Sequence, residues 1–321
     1  MKTALITGIL GQDGFHLTKL LQSKGYEVFG LLNSKKGERS DLFLRYFPET
    51  KLVEGDLTNF KTLFNTVNTI RPQEIYNLGG ISLVTSSFQF PELTGNVNGL
   101  GPVRLLEVIR KLGAENDIKF YQASSSEMFG RVNQTPQNEL TNFNPTSPYG
   151  AAKLFAHNMC NLYRERYGIQ VSCGIMYNHE GEHRGEKFVT RKITKSVAQI
   201  RKGNLGKIHL GSIESKRDWG YAGDYVEAMW LMLQQNIPDD FVIATGKAHS
   251  VKDFLTLALK IAGLKGKAEE YIVIDDSFKR QTEVTQLIGD ASKAKNTLGW
   301  EPKVSFEELV VKMMNHDLSV F

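Results

Sequence analysis

The chain opens Thr3-Ala4-Leu5-Ile6-Thr7-Gly8-Ile9-Leu10-Gly11-Gln12-Asp13-Gly14, and this stretch decides the fold. Residues 4–7 form a short apolar run that reads as a buried strand. After Gly14, Leu17, Leu20 and Leu21 fall on one helical face, and the pattern stops at Lys24-Gly25. Three glycines stand between strand and helix at the spacing G-x-x-G-x-x-G. Gly8 permits a tight turn, Gly11 lets a ligand approach the backbone, and Gly14 lets the helix pack close to the strand. Free N–H groups and the helix dipole favour a phosphate at such a helix N-terminus. Strand, turn and helix therefore predict a dinucleotide cofactor, NAD or NADP, with Gln12 and Asp13 counted among the residues that hold it. Glycine spacing alone is weak; its position between the first strand and the first helix gives it weight.

Outward from this turn, strand and helix patterns alternate. Residues 28–32, 51–53, 74–78, 119–124 and 170–176 read as strands. A helix with Val103, Leu106 and Ile109 inward precedes the fifth strand, and a long helix spans about 149–167. Residues 241–245 look like a last core strand. This alternation predicts an α/β fold, a Rossmann-type doubly wound parallel sheet. After Asn178 the pattern is less regular. Ser250 caps a helix with Phe254, Leu257, Ala258 and Ile261 inward, and Ser305-Phe306-Glu307-Glu308 has capping-box spacing. The expected organisation is a nucleotide-binding domain over 1–178, with returning segments near 215–246. A smaller, mostly C-terminal substrate-binding cap covers 179–321.

Bulk properties narrow the class. Over 321 residues, 41% are apolar and 23% charged, as in an ordinary globular protein. The net charge is +4 with basic residues scattered, so neither a nucleic acid nor a membrane is an expected partner. Cys160 and Cys173 form no metal or disulfide pattern, so no metal is expected and both read as packing residues in a reducing compartment. No apolar run reaches membrane-spanning length, and the chain leads straight into a core strand with no visible signal peptide. A cytoplasmic enzyme is the expectation.

The choice of cofactor turns on the end of the second strand. NAD binders usually place an acid there to hold the ribose hydroxyls. The sequence instead reads Leu32-Asn33-Ser34-Lys35-Lys36, with two cations that could meet a 2′-phosphate. NADP is favoured, with NAD possible if those lysines are merely solvated. Asp56-Leu57 follows the third strand, where a carboxylate either reaches the adenine or caps a helix.

Tyr149 and Lys153 are spaced i, i+4 at the start of a helix, so both point the same way. A phenol is a poor base at its ordinary pKa near 10, but a nearby ammonium and a positive nicotinamide ring favour the phenolate. Tyr149 could then take a proton from a substrate hydroxyl. The fifth strand ends Ser124-Ser125-Ser126-Glu127, where parallel sheets place their ligand crevice. Ser125 could bond the reacting oxygen. Glu127 is the more informative residue. A carboxylate beside the phenol is unnecessary for hydride transfer alone, but useful where a proton must leave a carbon next to a new ketone. A turn serine and a surface glutamate are the bland alternatives.

Glycine turn, Ser125, Tyr149 and Lys153 together resemble the extended short-chain dehydrogenases/reductases. Longer runs resemble the GDP-mannose 4,6-dehydratases within that family. They are Tyr121-Gln122-Ala123-Ser124-Ser125-Ser126-Glu127-Met128-Phe129-Gly130, Ser147-Pro148-Tyr149-Gly150-Ala151-Ala152-Lys153, Asn178-His179-Glu180, Phe188-Val189-Thr190-Arg191-Lys192, Lys216-Arg217-Asp218-Trp219-Gly220 and Asp224-Tyr225-Val226-Glu227-Ala228-Met229-Trp230. The resemblance spans nearly the whole chain.

It implies that Tyr149 deprotonates the C4 hydroxyl of GDP-mannose while hydride passes to NADP. Glu127 then removes the C5 proton, water leaves from C6, and hydride returns to C6 to give GDP-4-keto-6-deoxymannose. By the same resemblance Leu78, Ser82, His179 and Arg184 join the cofactor site. Asn178, Val189, Lys192, Arg217, Arg280 and Glu283 face the GDP-sugar. It also implies a homodimer or homotetramer paired through the long helix. Departures cluster near the sugar and phosphates: Asn33-Ser34 where paired arginines are common, Gly181-Glu182-His183 for Ser-Pro-Arg, and Gln281 for a proline. A 4-reductase or epimerase acting on a related GDP-sugar is the competing enzyme reading, and a non-catalytic NADP-binding sensor the competing non-enzyme one.

Overall fold

The computed structural model describes residues 1–33, 37–275 and 287–321. The first half runs β1 (Thr3–Thr7), α1 (Gln12–Ser23), β2 (Glu27–Leu32), α2 (Glu38–Tyr46), β3 (Lys51–Glu54), α3 (Phe60–Ile70) and β4 (Glu74–Asn77). It continues through α4 (Val84–Gln89), α5 (Pro91–Thr94), a π-helical turn (Gly95–Leu100), α6 (Gly101–Lys111), β5 (Lys119–Ser125), α7 (Pro148–Tyr167) and β6 (Val171–Met176). The second half runs β7 (Asn178–Glu180), α8 (Val189–Arg201), β8 (Ile208–Leu210), β9 (Lys216–Tyr221), α9 (Ala222–Gln234), β10 (Asp240–Ile243) and β11 (Ala248–Ser250). It ends with α10 (Val251–Ile261), β12 (Ile272–Ile274), α11 (Ser292–Leu298) and α12 (Phe306–Val320).

Seven strands form one parallel sheet in the order β10-β6-β5-β4-β1-β2-β3. This is the doubly wound sheet expected from the sequence. The chain builds outward from β1 to β3, then crosses to β4 and builds the other way. Ligand crevices open where that direction reverses, at the strand C-termini. Here the reversal lies between β1 and β4, and Thr7 pairs with Asn77 across it. The Thr7 hydroxyl donates to the Asn77 side chain at 2.7 Å and accepts from the Gly79 backbone at 2.8 Å, tying the two strand ends together.

Apolar layers cover both sheet faces. Leu17 and Leu21 of α1 pack with Tyr225 and Met229 of α9, Tyr76, Tyr121 and Trp300 on one side. Leu63, Val67, Leu105, Ile109, Phe120 and Cys160 fill the other. Each fully buried large side chain contributes roughly 1.5–3 kcal/mol. A separate core joins α8, α10 and α12 through Ile193, Val197, Phe254, Leu309 and Met313. Beside it stand the small sheets β11-β9-β7 and β12-β8. The chain does return to the main sheet after leaving it, because α9 packs on α1 and β10 forms the sheet edge beside β6.

Two local expectations need correction. The last sheet strand ends at Ile243 rather than at residue 245, because the buried Asp218 carboxylate captures the Thr245 and Gly246 backbone N–H groups. In α10 the fully buried positions are Val251, Phe254, Leu255, Ala258 and Leu259, with Leu257 and Ile261 only half-buried. The helix is wedged between α8 and α12, which rotates its apolar face. The capping box at Ser305 is present, with Glu308 N donating to Ser305 Oγ at 3.2 Å.

Candidate active site

The glycine turn is shaped by steric necessity. Gly8 has φ +68°, and a Cβ there would lie 2.8 Å from the Gly79 backbone. A Cβ at Gly14 would lie 2.2 Å from the Ile9 carbonyl oxygen. Gly11 N donates to Gly8 O at 2.9 Å, closing the turn before α1. These are the contacts a backbone cradle for a diphosphate requires, so the turn fits the nicotinamide dinucleotide it predicts. Arg39, at the start of α2, donates to Leu10 O at 3.1 Å and lies beside the same turn.

The first turn of α1 is clamped to β7. His179 Nε2 lies 2.9 Å from Asp13 Oδ2, and its Nδ1 lies 2.7 Å from the Tyr177 carbonyl. Both ring nitrogens thus face acceptors, which favours the imidazolium. Burial lowers the His179 pKa, but the Asp13 carboxylate outweighs it and the net shift is upward. Asp13 is held well below the usual carboxylate range: burial opposes this, and the His179 charge and hydrogen bond overcome it. Gln12 Nε2 adds a bond to the His179 carbonyl at 3.0 Å, and the ring stacks on Tyr225 at 4.7 Å.

The opposite wall comes from β5 and α7. Ser147 caps α7 by accepting from Gly150 N at 3.0 Å. A Cβ at Gly150 would lie 2.6 Å from the Glu127 carbonyl, so the helix start sits hard against the end of β5. Tyr149 and Lys153 leave this helix on one face, with the Lys153 Nζ 5.8 Å from the phenol ring centre. Lys153 donates to the Ala123 carbonyl at 2.7 Å. Ser125 lines the cleft beside the phenol, and its Oγ accepts from Glu127 N at 3.2 Å. Burial pushes Tyr149 up to about 12, Ser125 pulls it down and the Glu127 charge raises it further. Burial pushes Lys153 down to about 8. In the protein alone the phenol is therefore held protonated at neutral pH, and the lysine is easily discharged.

A cleft of about 800 Å³ joins these walls. Ser125, Glu127, Tyr149 and Lys153 line it, as do Asp13, Leu78, Ser82, His179 and Arg184. So do Asn178, Val189, Lys192 and Arg217. Arg184 pairs with Glu180 at 2.9 Å and stacks over Phe188 at 3.6 Å. Burial lowers the Lys192 pKa, with Asp275 opposing. Gly8, Gly11, Gln12 and Gly14 form the turn beside the cleft. Asp56 and Leu57 lie outside its lining: the Asp56 carboxylate accepts from Thr58 N at 2.7 Å, and Leu57 is buried. Arg280, Glu283, Lys35 and Lys36 lie outside the described residues.

Sequence reasoning missed two contributors. Asn98, buried in the π-helical turn, clamps the Ile81 N–H and carbonyl at 2.8 and 2.9 Å and so holds the strap that carries Ser82. Nothing in Gly95-Asn96-Val97-Asn98-Gly99-Leu100 sets Asn98 apart from its polar neighbour Asn96. Arg39 lacked any pattern that would bring it back to Leu10.

Across residues 5–313 the chain matches the family described as GDP-mannose 4,6 dehydratase. GDP-mannose 4,6 dehydratase 1 of Arabidopsis thaliana is 47% identical over 99% of this chain and 90% of its own. The UDP-glucose 4-epimerase of Thermus thermophilus, in complex with NAD, has a TM-score of 0.87 at 24% identity, covering 99% of this chain and 100% of that one. RMD from Pseudomonas aeruginosa, complexed with NADPH, has a TM-score of 0.84 at 21% identity and covers all of both chains. At these identities the two solved structures speak for the fold.

Proposed function

The chain belongs to the GDP-mannose 4,6-dehydratase family and dehydrates GDP-mannose, and from this premise we propose how the residues of its cleft divide the work. Convergence of Ser125, Glu127, Tyr149 and Lys153 on one cleft wall is the observation that carries the proposal.

Gly8, Gly11 and Gly14 with the α1 N-terminus hold the dinucleotide diphosphate, and Asp13, Leu78, Ser82, His179 and Arg184 complete its site. A nicotinamide supplies, when bound, a hydride acceptor for C4 and a donor for C6, so the dehydration has no net redox change. Tyr149 Oη takes the proton of the C4 hydroxyl. Ser125 holds the C4 oxygen. Lys153 supplies a positive charge that favours the phenolate, offsetting part of the burial that raises it. Once C4 is a ketone the C5 proton is acidic. Glu127 takes that proton, the C5 electron pair forms the C5–C6 double bond, and the C6 hydroxyl leaves as water with a proton from the same carboxyl; as C6 is reduced, C5 regains a proton from Tyr149, which returns to the state it started in. Asn178, Val189, Lys192, Arg217, Arg280 and Glu283 bind the GDP-sugar, with cations toward the diphosphate.

NADP is the preferred cofactor in this reading. Lys35 and Lys36 follow β2 with no acid at the strand end, and Arg39 beside the glycine turn adds a cation. The division into a dinucleotide-binding core and a sugar-binding cap belongs to the same proposal. So does a cytoplasmic location. No described helix is long and apolar enough to cross a membrane. Assembly as a homodimer or homotetramer is supported by exposed Phe88, Phe90, Leu93, Phe155 and Leu162 on α4, α5 and α7.

The test is incubation with GDP-mannose, cofactor supplied, and mass spectrometry of the nucleotide sugar. A loss of one water with a 4-keto group is expected. Unchanged substrate across GDP-sugars would overturn the reading. Nucleotide retained on the purified protein, weighed for a 2′-phosphate, decides NADP against NAD.

A further inference from the structure

The face of α7 that carries Tyr149 and Lys153 continues one turn further to His157. Positions i, i+4 and i+8 lie on one helical stripe. All three face the end of β5: Tyr149 lines the cleft with Ser125, Lys153 donates to the Ala123 carbonyl at 2.7 Å, and His157 bonds the Ser124 hydroxyl at 3.0 Å. His157 and Ser124 are each only 3% exposed.

The chain of contacts goes on into the core. His157 Nε2 lies 3.5 Å from Asp240 Oδ2 on β10. The other Asp240 oxygen accepts from Arg164, which lies further along α7 and also donates to the Val171 carbonyl at 2.8 Å. Ser124, His157, Asp240 and Arg164 thus join β5, α7, β10 and the start of β6 in one polar chain, buried at Ser124 and His157 and half-buried at Asp240 and Arg164. Burial by itself would lower the His157 pKa, but Cys173 and Asp240 reverse the shift. Burying such groups costs several kcal/mol unless all are paired, and when paired they fix one geometry.

We propose that His157 is a positioning residue: by gripping Ser124 from α7 and facing Asp240 on β10, it sets the helix against the end of β5 and so fixes where Tyr149 stands relative to Ser125. This rests on the dehydratase reading of the cleft. Lys153 alone cannot set that distance, because its ammonium rides on a flexible four-carbon stem. The imidazole is stiff and is held at both nitrogens. Ser125 is the next residue after Ser124, and its Oγ also accepts from Glu127 N, so a slip of α7 disturbs base, oxygen holder and C5 acid together.

His157, Cys173 and Asp240 offer ligand atoms within 4.8 Å of one another, near enough to share an ion. Burial pushes the Cys173 thiol well up, which keeps it protonated, and Arg164 already neutralises Asp240. The chain is closed by side chains, with His157 and Arg164 both facing Asp240.

The experiment compares wild type, His157→Phe, His157→Gln, Ser124→Ala and the Phe/Ala double variant. Each is assayed at equal folded and cofactor-loaded concentration, with metal content measured on the same samples. A sub-ångström misplacement at the reacting centre costs about 10- to 100-fold. His157→Phe and Ser124→Ala should each lower kcat by about that factor with KM unchanged, since neither touches the GDP-sugar residues. The double variant should be no worse than the worse single variant, and the carboxamide of His157→Gln should restore part of the rate. Because Tyr149 and Ser125 serve the first hydride transfer, absorbance of reduced cofactor near 340 nm should build up more slowly and to a lower level than in the wild type. A role in stability alone would lower the melting temperature and leave kcat per folded site and this absorbance unchanged, overturning the proposal. Full kcat in Ser124→Ala, additive losses in the double variant, or one equivalent of bound metal would also overturn it. Loss of product in the wild type would instead remove the dehydratase reading beneath it.

Discussion

The glycine turn and the β5–α7 wall face the same cleft and are built on different principles. The turn works through what is missing: Gly8 and Gly14 leave no room for a Cβ, and in the proposed reading backbone N–H groups do the binding. The wall works through side chains whose proton affinities burial has displaced, Tyr149 upward and Lys153 downward. Damage to the two should therefore register differently. Change in the turn should appear first as lost cofactor and lost stability. Change in the wall should appear as lost rate in a protein that still folds and still holds its cofactor.

The most severe challenge to this contrast is Tyr149→Phe. Removing a positioned acid–base group costs about 10²–10⁴-fold, so kcat should fall by that factor with the retained dinucleotide unchanged. Glu127→Gln should come next. First-step chemistry at C4 should survive, seen as C4 keto formation in a single turnover, while release of water drops about 10²-fold or more. Gly14→Ala tests the other side. Overpacking against Ile9 should cost roughly 1–3 kcal/mol of stability and deplete bound cofactor, with kcat per loaded site little altered.

The pH profile refines the same contrast. In the proposed mechanism Tyr149 acts deprotonated, and it is pushed up to about 12 in the protein alone, so kcat should rise with pH on its acid limb. Lys153 acts charged and is pushed down to about 8, so activity should decline again as pH climbs past that value. Lys153→Met should move the acid limb to higher pH. The smallest effect belongs to the clamp that joins the turn to the cap. His179 is raised in the fold, so its stabilisation is present below its ordinary value near 6.5 and fades as pH rises through the folded value. His179→Asn should therefore lower thermal stability most at mildly acidic pH, by about 1–3 kcal/mol, with the gap narrowing in alkali.

Much of this was legible in the sequence, and what was legible shares a cause. The turn, the α7 stripe and the β5 end are local patterns, with each meaning carried by spacing within a few residues. What stayed hidden depends on contacts far apart in the chain. The grip of Asp218 on residues 245 and 246 cuts β10 short, and nothing near residue 245 announces it. Asp13 and His179 are separated by 166 positions, so their clamp was invisible although both residues were singled out for the cofactor site. Asp56 had two readings, a contact to the adenine or a helix cap; its carboxylate accepts from Thr58 N, while the cap of α3 is Asn59.

All of these expectations rest on one cleft wall removing hydrogen from C4 and water from C5–C6 of the same sugar. The most direct measurement uses GDP-mannose carrying deuterium at C4, with the product read by NMR. Deuterium is expected at C6 of the 4-keto-6-deoxy product, with solvent hydrogen at C5. Product with no deuterium at C6 would contradict the internal hydride transfer.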